Sequence, residues 1–142
     1  MKPAVFLLCS FFALMSVPAL AQEADSAAQP QTFEYEWAGE KMTMQQYFIV
    51  FLKSGPERSQ SEKEALKLQQ EHLAYLGNLY EEGIINLNGA SGGDSDIRGF
   101  SVYNVATIEE AREYAENDPM VKAGRLVVEV YPWWLAKGSV VE

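Results

Sequence analysis

The stretch QYFIVFL, residues 46–52, decides the fold class of this chain. All but its first residue are apolar or aromatic, and β-branched and aromatic side chains favour extended strands. The run ends at Ser-Gly-Pro, residues 54–56, which is typical of a turn. We therefore predict a strand. Because both of its alternating sets of side chains are apolar, we expect both faces of its sheet to be covered.

Two capping boxes indicate where helices begin. The Ser-x-x-Glu box at residues 61–64 starts a helix that runs to about residue 82 and is stopped by Gly83. The Thr-x-x-Glu box at residues 107–110 starts a second helix, through about residue 116, and one further turn follows it. The remaining β-prone runs predict strands at residues 84–87, 99–105 and 125–131.

The predicted element order is β-α-β-β-α-β. Two right-handed crossovers, each skipping one strand, give a four-stranded antiparallel sheet with both helices on one face. This is the ferredoxin-like α+β fold. Since helices cover only one face, the apolar second face predicts a homodimer packed sheet against sheet. The alternative is that residues 32–38, where aromatic residues alternate with glutamate, fold back over that face; they are otherwise an edge strand or a tail.

The first 21 residues have the features of a cleaved export signal. Lys2 precedes an apolar stretch from residue 4 to residue 20, and small residues end it at Ala-Leu-Ala. A retained membrane anchor would need about 20 unbroken apolar residues. Cys9 lies inside the apolar stretch, without the small residues that precede a lipid-attachment site. We therefore expect a periplasmic or secreted protein.

The expected mature chain has three parts. A polar leader or linker occupies residues 22–40, one domain occupies residues 41–137, and a short tail, residues 138–142, follows. Cleavage removes the only cysteine and leaves 10 basic and 20 acidic residues. That charge repels nucleic acid and anionic membranes, so we expect neither as a partner.

Nor does the sequence predict a cofactor or a metal. Without cysteine there is no disulfide, thiolate ligand or cysteine nucleophile. The acidic pair Asp94 and Asp96 lies in a glycine-rich loop, but it lacks the further ligands that a calcium site requires.

His72, the only histidine, is the first candidate for chemistry. Helical spacing puts it on the same stripe as Leu76 and Leu79, so its side chain points at the core. Alone, such a histidine is more often structural than catalytic. Asp118 before Pro119 likewise has a structural explanation as a helix cap, which contributes about 1 kcal/mol.

Four motifs in order resemble the signature of the YCII-related family, over about residues 45–134. They are HLAYL at residues 72–76, Gly89, DPMVKAG at residues 118–124 and Pro-Trp at residues 132–133. The resemblance implies the dimeric α/β-barrel fold, a paired His72 and Asp118 facing a pocket between the helix layer and the sheet, and relatives that remove halide from, or isomerise, ring compounds and lactones. The export signal and Trp134 depart from the usual pattern.

These features leave three hypotheses. The first is a small lyase or isomerase in which His72 is a general acid or base and Asp118 orients it; such proton transfer contributes about 10²–10⁴ in rate. The second is a module that binds a small organic ligand without chemistry. The third is an interaction unit in which the pair only satisfies itself. Five aromatic residues are the predicted ligand pocket: Tyr47, Phe51, Tyr103, Tyr131 and Trp133. By default Arg125, Tyr131 and Trp133 are strand-end and core residues.

Overall fold

The computed structural model describes residues 28–141, so the predicted signal at residues 1–21 lies outside the described residues. The elements are β1 (Thr32–Trp37), β2 (Glu40–Ser54), α1 (Glu62–Glu81), β3 (Ile85–Ala90), β4 (Ile97–Tyr103), α2 (Ile108–Glu116), α3 (Pro119–Lys122) and β5 (Leu126–Ala136). None of the helices in this part of the chain is both long and apolar enough to cross a membrane.

Strand β2 lies at the centre of an antiparallel sheet. Strand β5 pairs along one of its edges, β4 pairs along the other, and β3 pairs with β4. The resulting order β5-β2-β4-β3 is that of the ferredoxin-like fold. The predicted α+β fold and the order β-α-β-β-α-β from β2 onward are therefore confirmed.

The helices cover one face of the sheet, and the hydrophobic core lies between them. Phe48 and Val50 of β2 point into this core, where they pack with Leu79 of α1 and with Ala111 of α2. Val50 is fully buried. Burying a side chain of this size contributes about 1.5–3 kcal/mol, so these contacts fix the helices on the sheet.

The opposite side of the sheet, called the open face below, carries the other set of β2 side chains. Strand register places Phe51 beside Phe100 of β4, and Glu129 of β5 pairs with Phe51. The ring of Phe51 lies 6.1 Å from that of Phe100 and 6.0 Å from that of Tyr131. Tyr131 is 51% exposed, so no helix covers this aromatic cluster.

Strand β1 is a fifth strand that the element order did not include. It forms a hairpin with β2 through a two-residue turn at Ala38 and Gly39, whose φ angles are 52° and 84°. Positive φ at both positions is typical of a type I′ hairpin turn. The sheet therefore begins at Thr32, within the segment that we expected to be a polar leader.

The hairpin also decides between the alternatives for residues 32–38. Strand β1 pairs with β2 at residues 40–45, and β5 occupies the other edge of β2. Strand β1 therefore lies on the same edge of β2 as β4, past the end of β4, and stays in the plane of the sheet. Phe33 packs edge-on against Trp134, with ring centroids 4.9 Å apart. Of the alternatives for these residues, the edge strand is the one observed; they do not fold back over the open face, because hairpin pairing keeps them in the sheet.

Candidate functional site

Helix α1 turns His72 toward the sheet. At its start the Ser61 amide donates to Glu64 Oε2 over 2.8 Å, and the Glu64 amide donates to Ser61 Oγ over 3.3 Å. This capping box fixes where the first turn begins, and hence which residues face inward. His72 and Leu79 are the buried residues of the helix. His72 retains 8% exposure, so its ring lies at the edge of the core.

Asp118 lies where α2 gives way to the short helix α3. Its Oδ1 accepts the Met120 amide over 2.8 Å, and Pro119 occupies the first helical position. Its Oδ2 lies 2.6 Å from His72 Nδ1. The carboxylate is therefore both the helix cap and the histidine partner, with one oxygen for each contact. The structural and functional interpretations of Asp118 do not exclude each other.

The contact between His72 and Asp118 sets the orientation of the imidazole. A carboxylate oxygen accepts, so Nδ1 carries the proton and donates it to Oδ2. This leaves Nε2 as the ring nitrogen available to a ligand. Asp118 is only 1% exposed, and a buried carboxylate in this position holds the ring firmly and stabilises an imidazolium when one forms. The pair is therefore arranged for proton transfer through Nε2.

His72 lines a cleft of about 580 Å³ between α1 and the sheet. Its apolar lining comes from both layers: Leu52, Leu73, Leu76, Met120 and Leu126. Polar side chains interrupt this surface at Ser54, Gln69, Asn88 and Ser101. An apolar cleft with a few placed polar groups is typical of a small-molecule site.

Two tyrosines lie near Asp118 without carrying charge. The Tyr75 hydroxyl donates to the Tyr114 carbonyl over 2.8 Å. Burial, and then the negative charge of Asp118, raise the pKa of Tyr75 to about 12. Burial likewise raises the pKa of Tyr103. Both phenols are neutral at physiological pH, so they add no second negative charge beside the pair.

Three arginines also line the cleft, and none of them was among the residues predicted for the site. Arg98 Nε donates to Ser54 Oγ over 2.7 Å, and Arg125 Nη1 donates to Gln60 Oε1 over 2.9 Å. Arg58 is the third. Among the described residues, Arg125 Nε is buried without an acceptor. Leaving a buried donor unpaired costs about 1–3 kcal/mol.

A signal for these arginines was present in the predicted topology. Antiparallel pairing sets the end of β2 beside the starts of β4 and β5, as the pairs of Lys53 with Ile97 and Ser54 with Leu126 show. Arg58 follows the end of β2, and Arg98 and Arg125 stand at the two starts. Arg125 is a strand-end residue as expected, but that end of the sheet is where the cleft opens.

The five aromatic residues predicted to form the ligand pocket do not line this cleft. Strand register explains where they lie instead. Tyr103 pairs with Phe48 and so faces the helices, inside the core. The other four lie on the open face, where Trp133 pairs with Tyr47. Alternation along each strand was correct, but it does not tell which face of the sheet carries the histidine.

Two of those aromatic residues line a different cavity. Tyr47 and Trp133, with Leu135 and the C-terminal residues Val140 and Val141, border a groove of about 730 Å³. Their proposed role in ligand binding stays a prediction, and it now concerns this groove.

Within residues 28–141, no three histidine, cysteine, aspartate or glutamate side chains come together as a metal-binding group. Asp96, from the loop weighed as a calcium site, lies 3.1 Å from Lys53 Nζ in an ion pair. That lysine also contacts Glu129 over 2.9 Å.

The fold is shared with muconolactone isomerase, with a TM-score of 0.53 and 17% identity over 68% of this chain and 96% of that one. A second similar structure is the 5-chloro-2-hydroxyhydroquinone dehydrochlorinase of Burkholderia phenoliruptrix AC1100, in complex with 2,5-dihydroxybenzoquinone. Its identity is 26% over 61% of this chain and 92% of that one, with a TM-score of 0.46. A comparison with curated protein sequences found no match.

The fold shared with muconolactone isomerase sets the class of protein as a ferredoxin-like α+β domain. The model of the YCII-related domain matches residues 47–134, which is more than half of the chain. The protein belongs to the YCII-related family, and the resemblance noted in its sequence is confirmed.

Proposed function

We propose that this protein is an enzyme that moves a proton on a small organic molecule, in a lyase or isomerase reaction. One observation carries the proposal. Buried Asp118 holds Nδ1 of His72 at 2.6 Å, and His72 lines a cleft large enough for such a molecule. Membership of the YCII-related family is consistent with this chemistry.

The proposed mechanism assigns separate tasks to the two residues. His72 Nε2 accepts a proton from a C–H or O–H bond of the substrate, and the bonding electron pair stays on the substrate. Asp118 stabilises the imidazolium that forms. In an isomerisation the same proton returns at another position; in an elimination the electron pair forms a double bond and expels a leaving group. General acid–base assistance of this kind contributes about 10²–10⁴ in rate.

Deuterium exchange tests the mechanism on compounds of the expected chemical class, so the natural substrate is not required. Pools of lactones and hydroxyquinones are incubated with the protein in heavy water, and loss of C–H signals is followed by NMR. We expect exchange or conversion of at least one compound, and we expect His72→Gln to abolish it. Glu71→Gln is the matched control, because it changes the exposed neighbouring residue on the same helix.

A second pair of variants tests the role of the carboxylate. Asn caps helices as well as Asp does, so Asp118→Asn keeps the cap while an amide replaces the acceptor of the imidazole proton. We expect this variant to fold normally and to lose about 10²–10⁴ in rate. Turnover that survives in His72→Gln contradicts the assignment of His72.

The groove beside Tyr47 and Trp133 supports a second candidate function, which is binding without chemistry. Its aromatic lining suits an apolar or aromatic ligand. Thermal-shift screening followed by analysis of the recovered ligand separates the two functions. A recovered ligand that is unchanged, with stabilisation lost in Trp133→Ala and kept in His72→Gln, favours binding in the groove.

We also propose that two copies associate through the open face. Exposed Phe100 and Tyr131 make this the apolar surface that a second copy would cover. If four side chains per subunit bury about 50 Å² each, association gains roughly 5 kcal/mol per subunit before its own costs. Sedimentation analysis tests this, and a monomer at all concentrations rejects it.

Export is part of the proposal as well. A cleaved signal would leave Gln22 as the first residue of a periplasmic or secreted protein. Fractionation of producing cells and mass spectrometry of the N-terminus test it, and an uncleaved chain in the cytoplasm contradicts it.

A further inference from the structure

The charged residues that line the cleft differ in sign from the net charge of the chain. The sequence has 20 acidic and 11 basic residues. Yet, in the described part of the chain, no acidic residue lines the His72 cleft, whereas three of the four arginines do. Arg112 is the exception, and it lies exposed on α2. Of the three, Arg125 is half-buried, and Arg58 and Arg98 are exposed. Positive charges clustered along one cleft create a local field that attracts an anion.

The loop between β2 and α1 is built to hold two of these arginines together. The Gly55 amide donates to the Arg125 carbonyl over 2.8 Å, and the Glu57 amide donates to the Gly124 carbonyl over 3.1 Å. A side chain at Gly55 would meet the Gly124 oxygen at 2.1 Å, so only glycine allows this approach. These hydrogen bonds therefore hold the backbone segments that carry Arg58 and Arg125 next to each other.

The guanidinium of Arg125 is held at one nitrogen and unpaired at another. Nη1 donates to Gln60 Oε1, and the amide nitrogen of Gln60 donates in turn to the Ala123 carbonyl over 3.3 Å. Nε has no acceptor within residues 28–141. The polar contacts of Arg125 thus orient it without neutralising it, and Arg98 is oriented in the same way by the Ser54 hydroxyl.

We propose that Arg58, Arg98 and Arg125 form an anion-binding subsite of the His72 cleft, and that its ligand is a small organic carboxylate. Two carboxylate oxygens match two N–H groups of a guanidinium in a fork of hydrogen bonds. The leucine and methionine side chains of the same cleft receive the apolar body of the molecule. Where the carboxylate is the substrate of the proton transfer, this inference rests on the proposed function; the subsite itself does not.

The subsite would give the cleft its selectivity. The net negative charge of the chain disfavours anions at most of its surface, so the arginines single out the cleft. An anchored carboxylate also fixes the orientation of the molecule, and oriented binding is what allows one of its C–H bonds to be presented to His72.

Binding of acid and amide pairs tests the subsite. Benzoate, phenylacetate and cinnamate are each compared with their primary amides by ligand-observed NMR titration, together with phenyl phosphate. We expect the acids to bind at least about tenfold more tightly than the amides, since hydrogen bonds to charged groups are the strong ones. We expect Arg125→Gln and Arg58→Gln each to remove most of that preference. Arg112→Gln makes the same charge change outside the cleft and should keep it.

Two further variants keep the test decisive. Arg125→Lys retains the charge and the aliphatic stem, so it serves if Arg125→Gln fails to fold. His72→Gln should bind the acids as well as the parent does. Preference for the acids in His72→Gln, with no catalysis in any variant, sustains the subsite and rejects the proposed enzyme.

Three results overturn the inference. The first is amides that bind as tightly as their acids. The second is an equal loss of acid binding in Arg112→Gln, which would show a non-specific charge effect. The third is phenyl phosphate that binds tenfold more tightly than every acid, which would assign the subsite to phosphate esters.

Discussion

The two faces of one sheet differ sharply in this protein, although β2 supplies side chains to both. On the helix side Phe48 and Val50 are buried in the core, and the cleft beside it holds the paired His72 and Asp118. On the open face the same strand presents Phe51 to a cluster of exposed rings. The helix side therefore combines the folded core with the candidate site, while the open face leaves its aromatic rings exposed.

Phe48 and Phe51 test this division with the same substitution on opposite faces. Phe48→Ala should lower the free energy of unfolding by about 3–5 kcal/mol, because it opens a cavity in the core. Phe51→Ala should cost the single subunit less, since its ring is only half-buried. It should instead weaken the proposed dimer. Urea unfolding measures the first effect, and sedimentation at several concentrations measures the second.

Equal losses of subunit stability in these two variants would contradict the conclusion that the two faces contribute differently to the stability of the subunit. A dimer that survives Phe51→Ala and Tyr131→Ala together would remove the open face from association.

Gly55→Ala tests how the loop between β2 and α1 contributes to stability and to the cleft. Gly55→Ala drives a methyl group against the Gly124 backbone, and overpacking of this kind costs about 1–3 kcal/mol. Because the loop carries Arg58, acid binding should weaken as well. Gly77→Ala is the matched control: no atom lies within 4 Å of its added methyl group, and alanine favours the helix by about 1 kcal/mol. Thermal unfolding should therefore shift in opposite directions.

Asp118 links the site to stability. Asp118→Ala removes the cap of α3, which costs about 1 kcal/mol, whereas Asp118→Asn keeps it. Urea unfolding should thus separate two variants that both impair His72. Equal destabilisation by the two would mean that the contact with the imidazole, and not the cap, dominates the stability contributed by Asp118.

Alkaline titration gives the smallest expected effect. The pKa of Tyr75 rises from 10.0 to about 12 in the folded protein, because burial disfavours the phenolate. The stability that this contributes is fully present below pH 10 and is lost as pH rises through about 12. Tyr75→Phe should therefore flatten the loss of stability between those values. An unchanged slope would show that Tyr75 ionises as it does in the unfolded chain.

The sequence predicted what short-range rules decide. The two capping boxes, the inward turn of His72 and the four central strands follow from local patterns. Each of these depends on spacing along the chain, so distant contacts did not have to be specified. The pairing of His72 with Asp118 was implied only by the resemblance to the YCII-related family.

The features that the sequence did not specify depend on how separate strands and loops come together. The alternation at residues 32–38 allowed an edge strand, but the β1 hairpin rests on Ala38 taking a positive φ, which is unusual for alanine. The five aromatic residues predicted for the ligand pocket lie outside the His72 cleft. Alternation fixes which residues share a face only within one strand, and the pairing of Tyr103 with Phe48 decides the rest. The arginines were missed because a loop and two strand starts meet only in three dimensions.

Because Asp118 both caps the short helix α3 and contacts His72, opening of α3 is coupled to the orientation of the histidine ring. The amide of Met120 exchanges its hydrogen when that turn opens, and opening the turn also frees the carboxylate whose other oxygen holds the imidazole. Consider a ligand that binds more tightly when the turn is closed and Asp118 holds His72. By linkage, that ligand stabilises the closed turn by the same free energy, so it slows hydrogen exchange at Met120. Hydrogen exchange at a single backbone amide can thus report whether the cleft is occupied.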